Sequence, residues 1–124
     1  MTPEILLYNF KADDRFRQIR RFLNHAKVNV RIVHTPEFLQ PLGTLFEIPG
    51  FAKNTLFNIS GNFTEEMIVM KDFSETLMDD FLNFFKENQL ACVELKAVLT
   101  PVTQHWNSLE LFRELKREHS AMNS

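Results

Sequence analysis

One arrangement occurs twice along this chain, and it restricts the possible folds more than any other feature. Ile5 to Phe10 is a short apolar run that suits a buried strand. Asp13 or Asp14 can cap the helix that follows, where Phe16, Ile19, Phe22, Leu23 and Ala26 recur at helical spacing. Val28, Val30 and Ile32 then alternate with Asn29 and Arg31, the period-two mark of a strand, which Thr35-Pro36 ends. In the second half, Met67 to Phe73 is again an apolar strand. Ser74 can cap a helix striped by Leu77, Met78, Phe81, Phe84 and Phe85, and Ala91 to Leu99 is a strand ended by Thr100-Pro101. An offset of about 62 to 65 residues superposes the two units, laying Phe10 on Phe73, Phe16 on Met78, Ile19 on Phe81 and one Thr-Pro step on the other.

At 124 residues the chain is read as a single domain, 1–124. Its pseudo-repeat halves are 4–36 and 66–101, with a connecting insertion at 37–65 and a C-terminal helix at 107–121. Two strand–helix–strand units side by side predict an α+β fold, a ferredoxin-like βαβ-βαβ sandwich with both helices on one face. The alternative is a thioredoxin-like or doubly wound α/β three-layer sheet. There, central strands are apolar throughout, as Ile5-Leu6-Leu7 and Met67-Ile68-Val69-Met70 are.

In the insertion, Thr35 as N-cap and Pro36 at the first position would start a short helix, interrupted by Pro41 and Gly43. Ile48-Pro49-Gly50-Phe51 reads as a turn, and Thr55 to Ile59 as a further short strand. Asn107 and Glu110 are placed for a reciprocal capping box opening the last helix, with Leu109, Phe112 and Leu115 as its apolar line.

Charge and composition exclude several classes. A formal net charge of −2 gives no pull on nucleic acid, and the Arg15 to Arg21 run, broken by Phe16 and Ile19, reads as the wet side of a helix. With one cysteine, Cys92, no internal disulfide is possible, and its neighbours Ala91 and Val93 place it in a strand as a small buried hydrophobe. His25, His34, His105 and His119 lack metal-ligand spacing, and Gly43, Gly50 and Gly61 cannot form a phosphate-cradling loop. We therefore expect no metal and no cofactor. MTPEILLYNF lacks the pattern of a secretory signal, no apolar run approaches ~20 residues, and the cytoplasm is the expected location.

The stretch LTPVTQHWN, 99–107, carries what chemistry there is. Thr-Pro and Asn107 are accounted for as strand exit and helix cap, which leaves Gln104, His105 and Trp106. Ligands of α/β folds often bind outside the carboxyl ends of strands. Gln40 and Gly43, after the other Thr-Pro step, are expected to lie near the same place. The candidate ligand- or partner-binding residues are thus Gln40, Gly43, Thr100, Gln104, His105 and Trp106, with no catalytic residue assigned. Thr100 and Gln104 would offer hydrogen bonds, Trp106 a flat wall and His105 a titratable donor. The leading functional expectation is a non-catalytic domain binding an unknown small molecule or protein. Two others stay open: a small enzyme with His105 as general base, and a structural or homo-oligomerising module.

ILLYNF at 5–10, QPLG at 40–43, EMIVMKDF at 66–73, LKAVLTPVTQHW at 95–106 and LELFRELKREH at 109–119 resemble the small bacterial domain of unknown function 3783. That resemblance implies a bacterial protein and no assigned activity. In the family pattern Asn often stands at the place of Thr103 and Gly at that of Asp72, which implies a stiffer strand end in this chain.

Overall fold

The computed structural model describes all residues other than 57, 59, 60, 123 and 124. Its sheet has four strands: β1 (Glu4–Tyr8), β2 (Asn29–Val33), β3 (Met67–Lys71) and β4 (Leu95–Val98), in the order β2-β1-β3-β4. Helices α1 (Asp14–His25) and α3 (Glu75–Glu87) are the two crossovers. The one-turn α2 (Leu42–Leu45) lies in the insertion, and α4 (Ser108–Met122) closes the described chain.

Each unit keeps its own two strands adjacent and parallel, β1 with β2 and β3 with β4. The units join through their first strands, which pair antiparallel with Leu6 opposite Val69. The ferredoxin-like expectation is corrected here, because in that split plan a further strand separates the two of each unit. Going from β1 to β2 and from β3 to β4, both strand direction and lateral step are reversed, so crossovers of one hand fall on one face. α1 and α3 accordingly share a core with Ile5, Leu7, Ile68 and Met70, into which Ile19, Leu23, Phe81 and Phe85 are buried.

The opposite face is not left open. Leu6, Tyr8, Met67 and Val69 pack against Phe38, Leu42, Leu45, Phe46 and Phe63 of the insertion and Leu111 of α4. The molecule is therefore three layers deep, as the alternative expectation held. It also explains why neither central strand alternates: every side chain from Ile5 to Tyr8 and from Met67 to Met70 is buried. A fully buried side chain of this size contributes about 1.5–3 kcal/mol.

The helix starts form as the sequence predicts. The Asp13 carboxylate accepts from Phe16 N–H at 2.9 Å and the Ser74 hydroxyl from Leu77 N–H at 3.0 Å. Asn107 and Glu110 bond reciprocally, both at 2.9 Å. The repeat extends to backbone conformation. Asn9 and Asp72 leave β1 and β3 with φ of 64° and 62°, while Lys27 and Gln89 leave α1 and α3 at 59° and 55°. All four are non-glycine residues in the left-handed region, which is uncommon enough to mark equivalent positions.

Three local expectations change. Pro36 sits in a single 3-10 turn, Thr35–Glu37, whose N-cap is His34 rather than Thr35. β4 begins at Leu95, not Ala91, because the Ala91 carbonyl accepts from Arg15 Nε at 2.9 Å instead of from a neighbouring strand. Cys92 therefore lies in the approach loop and is exposed, not buried. Of the strand expected at 55–59, Thr55, Leu56 and Asn58 are not in a strand, and residues 57 and 59 fall outside the described set. Among the described residues no helix is long and apolar enough to cross a membrane.

Candidate functional site

The antiparallel join sends the two Thr-Pro exits to opposite rims of the sheet. Val33 lies opposite Tyr8 at one end, and Val98 opposite Met70 at the other, where β1 starts. The two exits therefore do not share a rim. Their following segments still meet, because each crosses the face that the insertion covers. Leu42 N–H donates to the Trp106 carbonyl at 2.8 Å, Ser108 N–H to the Phe38 carbonyl at 3.1 Å, and Pro41 and Asn107 form an isolated bridge.

This crossing brings the chain after α2 to the rim where β3 and β4 end, and a cleft of about 600 Å³ opens there. That volume suits a small molecule. Phe46, Ile48 and Pro49 form one apolar side, and Leu99 and Pro101 contribute to the other. The polar lining comes from Glu4, Glu47, Lys71, Asp72, Thr100 and Gln104.

Strand register builds the polar cluster. Glu4 and Lys71 are Cα partners at the end of the β1–β3 pair, so their side chains emerge on one side of the sheet. Lys71 Nζ donates to Glu4 Oε2 and Asp72 Oδ2, each at 2.8 Å. The bond to Asp72, then that to Glu4, holds the ammonium above its usual range, so Lys71 is a cation throughout the neutral region. Asp72 takes its left-handed φ of 62° at a cost of about 1–2 kcal/mol. Its ion pair with Lys71 offsets part of that cost. Three carboxylates, on Glu4, Glu47 and Asp72, line the cleft with one cationic side chain, Lys71, and with Met1, the first residue of the chain.

Thr100 and Thr103 lock the exit from β4. Each backbone N–H donates to the other's hydroxyl, at 2.9 and 3.0 Å. The turn places Gln104 at the cleft, and among the described residues its side-chain amide makes no hydrogen bond.

The other expected site residues take different roles. Gln40 is 4% exposed, and its amide is spent on Asn54: Nε2 donates to Asn54 Oδ1 at 2.8 Å and Oε1 accepts from Asn54 N–H at 3.0 Å. Gly43 is there for packing, since a Cβ at that position would lie 2.7 Å from the Phe51 ring. His105 is exposed and rests on that same ring, centroids 5.1 Å apart. Trp106 is half-buried against the core. Thr100 and Gln104 therefore line the cleft, whereas Gln40 and Gly43 are engaged within the insertion, by Asn54 and the Phe51 ring, and His105 and Trp106 pack the turn after β4 against it. Glu4, Lys71 and Asp72 were missed. The signal for them is the antiparallel pairing of β1 with β3, which single-strand periodicity does not reveal.

The opposite rim has a smaller crevice of about 320 Å³, lined by Asn9, His34 and Thr35 among apolar neighbours. Asn9 is already engaged, donating to the Phe63 and Glu65 carbonyls at 3.0 and 2.9 Å. No group of three or more metal-ligating side chains occurs among the described residues.

In comparisons with known proteins, the family model Domain of unknown function (DUF3783) matches residues 66–122. The match takes in β3, α3, β4 and α4 and leaves ILLYNF and QPLG outside it. No curated protein and no solved structure matches the chain.

Proposed function

We propose that the chain, of which residues 66–122 match the DUF3783 family model, is a non-catalytic binding protein whose ligand occupies the rim cleft. The observation that carries this reading is the make-up of the lining. Lys71, bonded to Glu4 and Asp72, and the unengaged Gln104 amide line one cleft together with Phe46, Ile48 and Pro49. A purely structural surface ion pair does not need an apolar wall and a free amide beside it.

The excess of carboxylates favours a small molecule with a cationic or hydrogen-bond-donating end and a short apolar body. A cytoplasmic bacterial setting without cofactor, nucleic acid or membrane belongs to the same proposal. A general base needs a hydrogen-bonded partner to orient it. Among the described residues the contact given for the His105 ring is a tilted one with Phe51, centroids 5.1 Å apart, and the binding reading does not call on it as a base.

The test is a thermal-shift screen of the full chain against metabolite classes, led by amines and amino acids. A ligand at a hundredfold excess over its Kd should raise the Tm by about 10 °C. Gln104→Ala and Asp72→Asn should each reduce that shift by about half, with little change in the ligand-free Tm. A panel that shifts nothing, or a shift that both variants preserve, would defeat the proposal.

A further inference from the structure

The layer formed by α1 and α3 carries a division of charge that binding at the cleft does not use. α1 has four arginines, Arg15, Arg17, Arg20 and Arg21, against Asp14 alone. α3 has four carboxylates, Glu75, Asp79, Asp80 and Glu87, against Lys86 alone. The seam between the helices is aromatic: the Phe22 ring lies 4.9 Å from that of Phe84 and 5.6 Å from that of Phe81. Charge does not bridge that seam. Arg15 turns to Glu66 at 2.7 Å and Arg17 to Asp14 at 3.3 Å. Arg20 lies over the Phe16 ring with its Nε buried and without a partner. Among the described residues, no ion pair joins α1 to α3, and none of the four α3 carboxylates is in one. Arg17, Arg21, Asp79 and Asp80 are all exposed, beside Leu82 at 43%.

We propose that this face binds a second copy of the same chain, α1 of each protomer lying on α3 of the other. Because β1 and β3 are antiparallel and each is followed by its helix, α1 and α3 also run antiparallel. A half-turn about an axis along the helices then sets the arginine row of one copy on the carboxylate row of its partner, twice over, and the assembly closes as a dimer. An acidic or a basic partner would meet repulsion from half of the face; a second copy satisfies all of it. Two helices of 12 and 13 residues present a surface of about 20 Å by 20 Å. That is about 400 Å² per partner, so the dimer is weak and sensitive to salt. The face lies on the other side of the sheet from the insertion that walls the cleft, and the two sites leave each other free.

Sedimentation equilibrium of the full chain tests this. At low salt the average mass should rise towards twice that of the chain with concentration, and about 0.5 M salt should weaken association at least tenfold. Arg17→Glu with Arg21→Glu should be monomeric, and so should Asp79→Lys with Asp80→Lys. An equimolar mixture of these two variants should regain association to within about threefold of the wild type, since each reversed row then meets its opposite. All four positions are exposed, and circular dichroism of each variant verifies its fold. A wild type that stays monomeric at millimolar concentration, a dimer that survives either reversal, or a mixture that does not reassociate would each overturn the proposal.

Discussion

Tyr8 and Ser108 offer the sharpest test of how the two ends of the chain are joined. The phenol and the Ser108 hydroxyl lie 2.7 Å apart, and both residues are 0% exposed. This bond ties β1 to the first turn of α4 across 100 residues of chain. Tyr8→Phe keeps the ring packing on Phe38 and Phe63 but strands the serine hydroxyl; Ser108→Ala strands the phenol instead. Each should cost about 1–3 kcal/mol, lowering the urea midpoint by about 1 M, because a buried polar group without a partner loses its hydration uncompensated. The double variant strands neither group, so a double-mutant cycle should return a coupling of about 1–2 kcal/mol. The same bond predicts a pH dependence. Burial pushes the Tyr8 phenol above its ordinary 10.0, with the Ser108 bond opposing only in part. A raised acid keeps its proton when folded and loses it near pH 10 when unfolded. Its contribution is therefore complete below that pH and declines above it, by about 1.4 kcal/mol at pH 11. Tyr8→Phe should lack this alkaline decline. Tyr8 is the only tyrosine, so phenolate absorbance should remain silent at pH 11 until the protein unfolds. Coupling near zero, or a phenol that ionises at its ordinary pKa in the folded state, would refute the argument.

Two further outcomes follow from single residues. Gly43→Ala should lower stability by about 1–3 kcal/mol in urea, since its Cβ would meet three Phe51 ring carbons at 2.7 to 2.8 Å; Phe51→Leu in the same chain should recover part of the loss, and an undisturbed midpoint would count against the packing role. Cys92 is exposed, so a thiol reagent should modify it within minutes without denaturant, whereas labelling no faster than unfolding would place it in the interior.

The elements with a short-range cause were legible from the residues themselves. Asp13, Ser74 and Asn107 cap the helices they precede because a side-chain oxygen satisfies an N–H two or three residues on, a local event. The apolar stripes of α1 and α3 chose their buried faces for the same reason. Cys92 was misplaced because a long-range partner intervened: the Arg15 side chain takes the Ala91 carbonyl, and the strand begins four residues later. Strand order lies further still from local pattern. The unbroken apolar runs at 5–8 and 67–70 do report burial on both faces, but they do not show which neighbour each strand takes.

That missing neighbour is also why the candidate site was only half read. Periodicity assigns Glu4 to a strand start and Lys71 to a strand end, 67 residues apart, and gives no reason to connect them. Once β1 and β3 pair antiparallel, the start of one must lie beside the end of the other, and a cross-strand charge pair follows from register alone. The same reversal parts the Thr-Pro exits, so only the segment after Thr100 can line the cleft. Gln40 and Gly43 reach the neighbourhood by crossing the sheet face, and they are engaged within the insertion, one by Asn54 and the other by the Phe51 ring. The Gln40 amide is bonded to Asn54 on both its nitrogen and its oxygen, whereas Gln104, which lines the cleft, makes no side-chain hydrogen bond among the described residues.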